Sequence, residues 1–327
     1  MSVLEISVVS RALSGNPLGD PSQRLLHVVL PDQHDRSRPI PCVWWLAGYA
    51  GVGRSQLGHD PWQEGLDQRL QRLIAEGKVG PMAIALPDAF TRWGGCQYLS
   101  SSAVGDYETY LWSELPSALE SQVAVSHHGV AGKSSGGFGA FHAAVRQPGR
   151  FRAMVCHSGD MGFEMSVFPD IPRLMNAVRD HGSLEAFASA HREARNKKEG
   201  RWFGPLSMLA LASVYSPDPQ APLGVAMPFD LEEGTLREEI LERWRSFDPV
   251  RVVRRSERAR EALRALELVF VDCGRRDEHF LHWGARQLSA ALAEHDISHE
   301  HEEFDGGHRS TSHRLDVSLP KLYSALS

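Results

Sequence analysis

Short, continuously apolar runs recur along the chain and alternate with stretches in which apolar residues return every three or four positions. The β-like runs fall at Leu25 to Leu30, Cys42 to Leu46, Met82 to Leu86, Gly129 to Ala131, Ala153 to His157, Leu266 to Val271 and near His299 to Phe304. Several are apolar at every position, as expected of strands covered on both faces. Helical spacing appears at Trp62 to Ala75, Tyr107 to Leu119, Gly137 to Arg146 and His279 to Glu294. Strand and helix in alternation predict an α/β protein with a mostly parallel central sheet and helices on both of its faces.

The alternation lapses between Met161 and Asp248. This stretch has helical runs at Ile171 to Asp180, Leu184 to Lys197 and Leu236 to Ser246, a Pro-rich patch SPDPQAP, and no strand-like run. It reads as a helical insertion of residues 161–248, a cap over the C-terminal edge of a core made of residues 1–160 and 249–327.

Composition narrows the function class. With 327 residues, 42% of them hydrophobic, the chain can bury a large core without disulfides or metal. A net charge of -6 argues against a nucleic-acid or anionic-membrane partner. The basic run Arg251 to Arg260 is interrupted by acidic and apolar residues and reads as a solvated helix face. The N-terminal segment MSVLEISVVSRALSGNPLGD lacks a basic leader and a continuous apolar stretch, and no run reaches about 18 apolar residues. A soluble, cytoplasmic protein is expected. Cys42, Cys156 and Cys273 lie in or beside strand-like runs and read as reduced core thiols; Cys96, in a polar loop, carries no signal.

The chemistry concentrates in GVAGKSSGGFG, Gly129 to Gly139. Gly132-Lys133-Ser134 resembles the end of a phosphate-binding loop, but the glycine that should open such a loop would stand at position 127, which is His127. The other reading is the nucleophile elbow G-x-S-x-G, Gly132 to Gly136. It requires a strand before it and a helix after it, and Val130-Ala131 and GFGAFHAAVRQ supply both. Glycines at 132 and 136 leave room for neighbouring backbone where Ser134 sits in a strained turn.

A serine hydroxyl needs a base, and the base needs an orienting acid. Asp277, in VFVDCGRRDEH, falls in the loop after a strand and is the first candidate acid, with Asp272 its competitor and Asp160 third. His308, in EEFDGGHRS, follows the last strand-like run and a Gly306-Gly307 turn; it is the candidate base among 16 histidines. Metal binding by His279 with His282, or by His299 with His301, lacks a third ligand. For an oxyanion hole, the Ser135 N–H should pair with a second donor from CVWWLAGYAGVG, where Gly48 and Gly51 permit close approach; Tyr49 N–H is assigned to it. Trp93, Tyr98, Tyr107 and Trp202 lie in segments that can line a substrate pocket or simply pack the core and cap.

These motifs, in this order, resemble the putative esterase (esterase D-like) branch of the α/β-hydrolases, which includes S-formylglutathione hydrolases, enterochelin and feruloyl esterases and mycolyltransferases. GNPLGDPSQRLLHVVLP is similar to the family's opening hairpin, LAGYAG to its oxyanion turn, GKSSGG to its elbow, DCGRRDEH to its acid loop and EEFDGGHRSTSHR to its histidine loop. Ala47 stands where the family often has His, and Ser135 where it commonly has an apolar residue. The resemblance implies an α/β-hydrolase fold and a serine carboxylic-ester hydrolase acting on a small-molecule ester without metal or organic cofactor. It is compatible with a homodimer. An acyltransferase using the same residues and a catalytically silent binding protein are the alternatives.

Overall fold

In β3, Ile40–Leu46, IPCVWWL, nearly every side chain is buried, so no periodicity survives and the segment can only be an interior strand. The computed structural model, which describes every residue except His59 and Lys198, places it near the middle of an eight-stranded sheet. Its companions are β1 (Ser2–Val9), β2 (Gln23–Leu30), β4 (Ala83–Leu86), β5 (Val125–Lys133), β6 (Ala153–His157), β7 (Leu268–Gly274) and β8 (Glu300–Phe304). The order across the sheet is β1-β2-β4-β3-β5-β6-β7-β8. Only β1 with β2 and β2 with β4 pair antiparallel; every pair from β4 to β8 is parallel. This is the α/β-hydrolase fold that the motifs imply. After β3 the chain steps outward to β4, and it then returns to β5 on the other side of β3. The loops leaving the C-terminal ends of β3 and β5 are therefore neighbours, the place where open α/β sheets carry their sites.

Helices cover both faces. α1 (Leu66–Ala75) and α13 (Leu315–Leu326) place Leu70, Leu73, Leu319 and Leu322 on Val43, Ile84, Ala131 and Phe270. The other face receives a helical segment, 107–120, that contains α2 (Tyr107–Thr109), a π-helical turn and α3 (Leu115–Glu120), together with α4 (Ser135–Arg146) and α12 (Leu281–Glu294). The predicted helix from Trp62 begins instead at Leu66, and Trp62 is 95% exposed.

Three elements escape the apolar pattern. β1 buries only Ile6 and Val8 of SVLEISVV, because an edge strand is covered on one face. α13 carries Pro320 inside it. The longest helix, α8 (Gly200–Tyr215), contains Gly200, Gly204 and Pro205, poor helix formers whose cost is outweighed by burying nearly the whole second half of the helix.

Between β6 and β7 the chain forms α5 (Phe163–Ser166), α6 (Ile171–His181), α7 (Leu184–Glu193), α8, α9 (Glu238–Arg245), α10 (Pro249–Arg255) and α11 (Glu257–Arg264). Among the described residues, no strand of the main sheet falls within that stretch. Phe187, Leu209, Tyr215 and Trp244 of this stretch share one apolar core with Phe138 and Phe141 of α4. The basic run Arg251 to Arg260 lies on α10 and α11, where Arg260 and Arg264 pair with Glu257, and Arg251 and Arg255 with Glu242. All four cysteines, Cys96 included, are buried and unpaired. No helix among the described residues is long and apolar enough to cross a membrane.

Candidate active site

At the end of β5 the backbone reverses sharply into α4, with Ser134 at φ 58° and ψ −125°. A serine tolerates positive φ only under compulsion. The crossing of strand and helix supplies it: a Cβ at Gly132 would lie 2.3 Å from the Gly136 carbonyl oxygen, and one at Gly136 would lie 2.0 Å from that of Leu46. The Ser134 N–H donates to the His157 carbonyl at 2.9 Å, which fixes the turn to β6. Gly136→Ala must force this crossing apart, a clash with backbone that cannot relax as a flexible side chain does. The expected result is a loss beyond the roughly 1–3 kcal/mol typical of an overpacked core. Urea unfolding monitored by circular dichroism checks it; an unchanged midpoint would show that the turn yields easily.

The base arrives from the loop after β8. The Arg276 N–H donates to the Gly306 carbonyl, and the His308 N–H to Glu278 Oε2. Gly274 must also be glycine here, since its Cβ would lie 2.5 Å from the Gly307 carbonyl oxygen. The ring so placed has Nδ1 at 2.7 Å from Asp277 Oδ2 and Nε2 at 3.2 Å from Ser134 Oγ. A carboxylate can only accept, so Nδ1 carries the proton and Nε2 offers its lone pair to the serine. Asp277, 2% exposed, also accepts from the His279 N–H at 2.9 Å. Burial pushes its carboxyl up, but the hydrogen bond and charge of His308 and the bond from His279 outweigh burial and hold it below the ordinary range.

Asp272, the competing acid, is turned away. Its Oδ1 lies 2.7 Å from His157 Nδ1 and its Oδ2 accepts from Arg314 Nε at 2.8 Å, a buried network closed by Ser318 at 3.0 Å from His157 Nε2. Asp160 accepts from Ser135 Oγ at 3.3 Å and Gln97 Nε2 at 2.9 Å, and burial raises its carboxyl.

The turn after β3 comes up beside the serine: a Cβ on Gly48 would stand 3.4 Å from Ser134 Cβ. The Ala50 N–H donates to the Gly94 carbonyl and the Gly51 N–H to that of Gly48, while the Tyr49 N–H has no acceptor among the described residues. Ser135 opens α4, where helical N–H groups lack partners and the helix end is positive. The turn is braced by Tyr49 Oη donating to the Trp93 carbonyl and Tyr98 Oη to that of Ala47, both at 2.7 Å.

The predicted pocket aromatics divide. Tyr98 borders a recess shared with Gly48, Tyr49, Gln97 and Ser135. Trp93 is buried, supports Tyr49 through its carbonyl, and borders a separate hollow with Arg92 and Leu223. Tyr107 is wholly buried under Arg24. Trp202 is 4% exposed and packs among His181, Phe187 and His191 of α6 and α7, so its aromatic bulk serves the packing of those helices against α8. Sequence reasoning missed Gln97, which carries no motif of its own although it lies between Gly94-Gly95 and the polar run Ser100 to Ser102, and Phe203, one residue beyond Trp202. Phe203 is half exposed with its ring 5.2 Å from that of Tyr49, edge to face.

His279 stands edge-on to His308 at 4.7 Å. His299 is bound to Ser289 and the Ile297 carbonyl. Among the described residues, no three His, Cys, Asp or Glu side chains converge as a metal site.

A family model described as Putative esterase matches residues 21–318. No curated protein matches the chain. Solved structures resemble it over their whole length. A ferulic acid esterase is 19% identical with a TM-score of 0.63, the alignment covering 100% of this chain and 98% of that one. An S-formylglutathione hydrolase from Agrobacterium tumefaciens is 17% identical with a TM-score of 0.58, covering 99% and 95%. The fluorophosphonate-binding serine hydrolase F of Staphylococcus aureus is 13% identical with a TM-score of 0.55, covering 100% and 98%. The chain therefore belongs to the Putative esterase family, carboxylic-ester hydrolases of the α/β-hydrolase fold.

Proposed function

We propose that the protein hydrolyses small carboxylic esters through an acyl-enzyme formed on Ser134. The observation that carries this reading is the continuous chain from Ser134 Oγ through His308 to Asp277, at 3.2 Å and 2.7 Å. His308 Nε2 takes the hydroxyl proton as Oγ attacks the ester carbonyl. The Tyr49 and Ser135 N–H groups receive the oxyanion, and Asp277 stabilises the imidazolium. On collapse, His308 gives its proton to the departing alkoxide. Water, deprotonated by the same nitrogen, then attacks the acyl carbon and releases the carboxylic acid and free Ser134.

The insertion 161–248 acts in this scheme as a cap that shapes the entrance, with Phe203 of α8 against Tyr49 as its nearest contribution. Treatment with a fluorophosphonate followed by intact mass and peptide mapping tests the nucleophile. One adduct on the Ser134 peptide, absent from Ser134→Ala, is the expected outcome; no adduct on folded wild type would sink the reading.

A further inference from the structure

Gln97 stands beside the oxyanion turn and takes no part in the steps above. It and Tyr98 both hold positive φ, 52° and 60°, a pairing of non-glycine residues that persists only where the surroundings impose it. The side chain of Gln97, 5% exposed, is held from one end: Nε2 donates to Asp160 Oδ2 at 2.9 Å and to the Tyr215 hydroxyl at 3.0 Å. Both amide hydrogens are thereby used, which turns the carbonyl Oε1 the other way. Oε1 has no hydrogen-bond partner among the described residues, yet it is not one of the side-chain atoms sealed from solvent without a partner. Gln97 lines the recess with Gly48, Tyr49, Tyr98 and Ser135, the open space beside the amide, and with Nε2 engaged Oε1 is the polar atom left to face it. The free volume there, about 10 Å³, suits a single water-sized group. Asp160 also accepts from Ser135 Oγ, so one carboxyl sets the position of the Gln97 acceptor relative to an oxyanion donor.

We propose that Gln97 binds substrate, its Oε1 accepting a hydrogen bond from a hydroxyl on the acyl chain close to the ester carbonyl, and that the enzyme thereby selects hydroxyacyl esters. Asp160 and Tyr215 are positioning residues that orient the amide. The inference rests on Ser134 being the acylated nucleophile. The acyl side is assigned by proton transfer: the leaving oxygen must face His308 Nε2, whereas the recess lies on the side of Tyr49 and Ser135, whose N–H groups receive the acyl carbonyl oxygen in the mechanism above, and includes neither His308 nor Ser134 in its lining. A hydroxyl suits the recess better than an ammonium, because one neutral carbonyl cannot satisfy three N–H donors and a desolvated charge.

The test compares kcat/KM for ethyl 2-hydroxybutyrate, ethyl 3-hydroxybutyrate and ethyl butyrate, measured by proton release and divided by each ester's alkaline hydrolysis rate. Wild type should favour at least one hydroxy ester about tenfold or more, since a site built to pair with a hydroxyl rejects the analogue lacking it. Gln97→Met should bring that ratio close to one, and Asp160→Ala, which frees the amide to swivel, should lower it in part. A general folding defect depresses all three esters alike and leaves the ratio where it was. A wild-type ratio near one at both hydroxyl positions, a ratio that survives Gln97→Met, or a stronger preference for ethyl 4-aminobutyrate would overturn the inference. Failure of the underlying reading looks different: wild type then hydrolyses none of the esters and takes up no fluorophosphonate at Ser134.

Discussion

Replacing His308 with alanine should lower kcat on an activated aryl ester by roughly 10⁵- to 10⁶-fold, and Ser134→Ala should do the same. The effect is expected to be large because His308 Nε2 is the only base within hydrogen-bond reach of Ser134 Oγ among the described residues, at 3.2 Å, and in the proposed mechanism it serves both halves of the reaction. The two losses should not add: once the base is gone the hydroxyl is inert, so the double variant is no slower than either single one. Neither change should unfold the protein, since both side chains face the cleft. Pre-steady-state and steady-state kinetics on purified variants check this, with care to exclude contaminating esterases. Residual activity of His308→Ala above about one per cent would mean that another group activates the serine, and the mechanism would have to be abandoned.

The second large effect separates two aspartates that stand five positions apart. Asp277→Asn should lower kcat about 10⁴-fold while leaving the melting temperature nearly unchanged. The carboxylate can only accept from His308 Nδ1, whereas an amide nitrogen there would donate, drive the proton to Nε2 and remove the lone pair that Ser134 needs. Asp272→Ala should show the reverse. It removes the carboxylate shared by Arg314 and His157 in a buried network, leaving Arg314 with Glu302 and His157 with Ser318, for which about 3–5 kcal/mol is the usual loss, and leaves the His308 geometry intact. Thermal melts and kcat measured on the same two preparations decide the matter. Should Asp272→Ala lose turnover with no change in melting while Asp277→Asn keeps it, the acid would be misassigned.

Much of this site's residue pattern is legible in the sequence. The elbow could be read because close backbone contact leaves a chemical signature: only glycine fits at 132 and 136, so the constraint is written into residue types at fixed spacing. The loops bearing Asp277 and His308 were visible for a related reason, each following an apolar run that ends in turn residues. Asp272 and Asp277 are harder to tell apart by spacing, since both lie within a few residues of the same strand end. What separates them is the direction each side chain takes, inward to His157 and Arg314 or up to His308.

The parallel core, the strand order's chemistry-bearing loops and the types of residue available for catalysis were determined by the sequence itself, because burial on two faces and tight turns restrict composition locally. β1, α8 and α13 were not, since an edge strand shows only half a pattern and the breakers Gly204, Pro205 and Pro320 are overruled by burial that distant segments provide. Tertiary structure alone decided that Trp202 packs against α6 and α7 while its neighbour Phe203 meets Tyr49. It alone decided, too, that Gln97 from the β4 loop, Asp160 from the end of β6 and Tyr215 from α8 converge behind Ser135. A hydrogen-bond network across three distant segments constrains no local spacing, so it becomes visible only when the chain has folded.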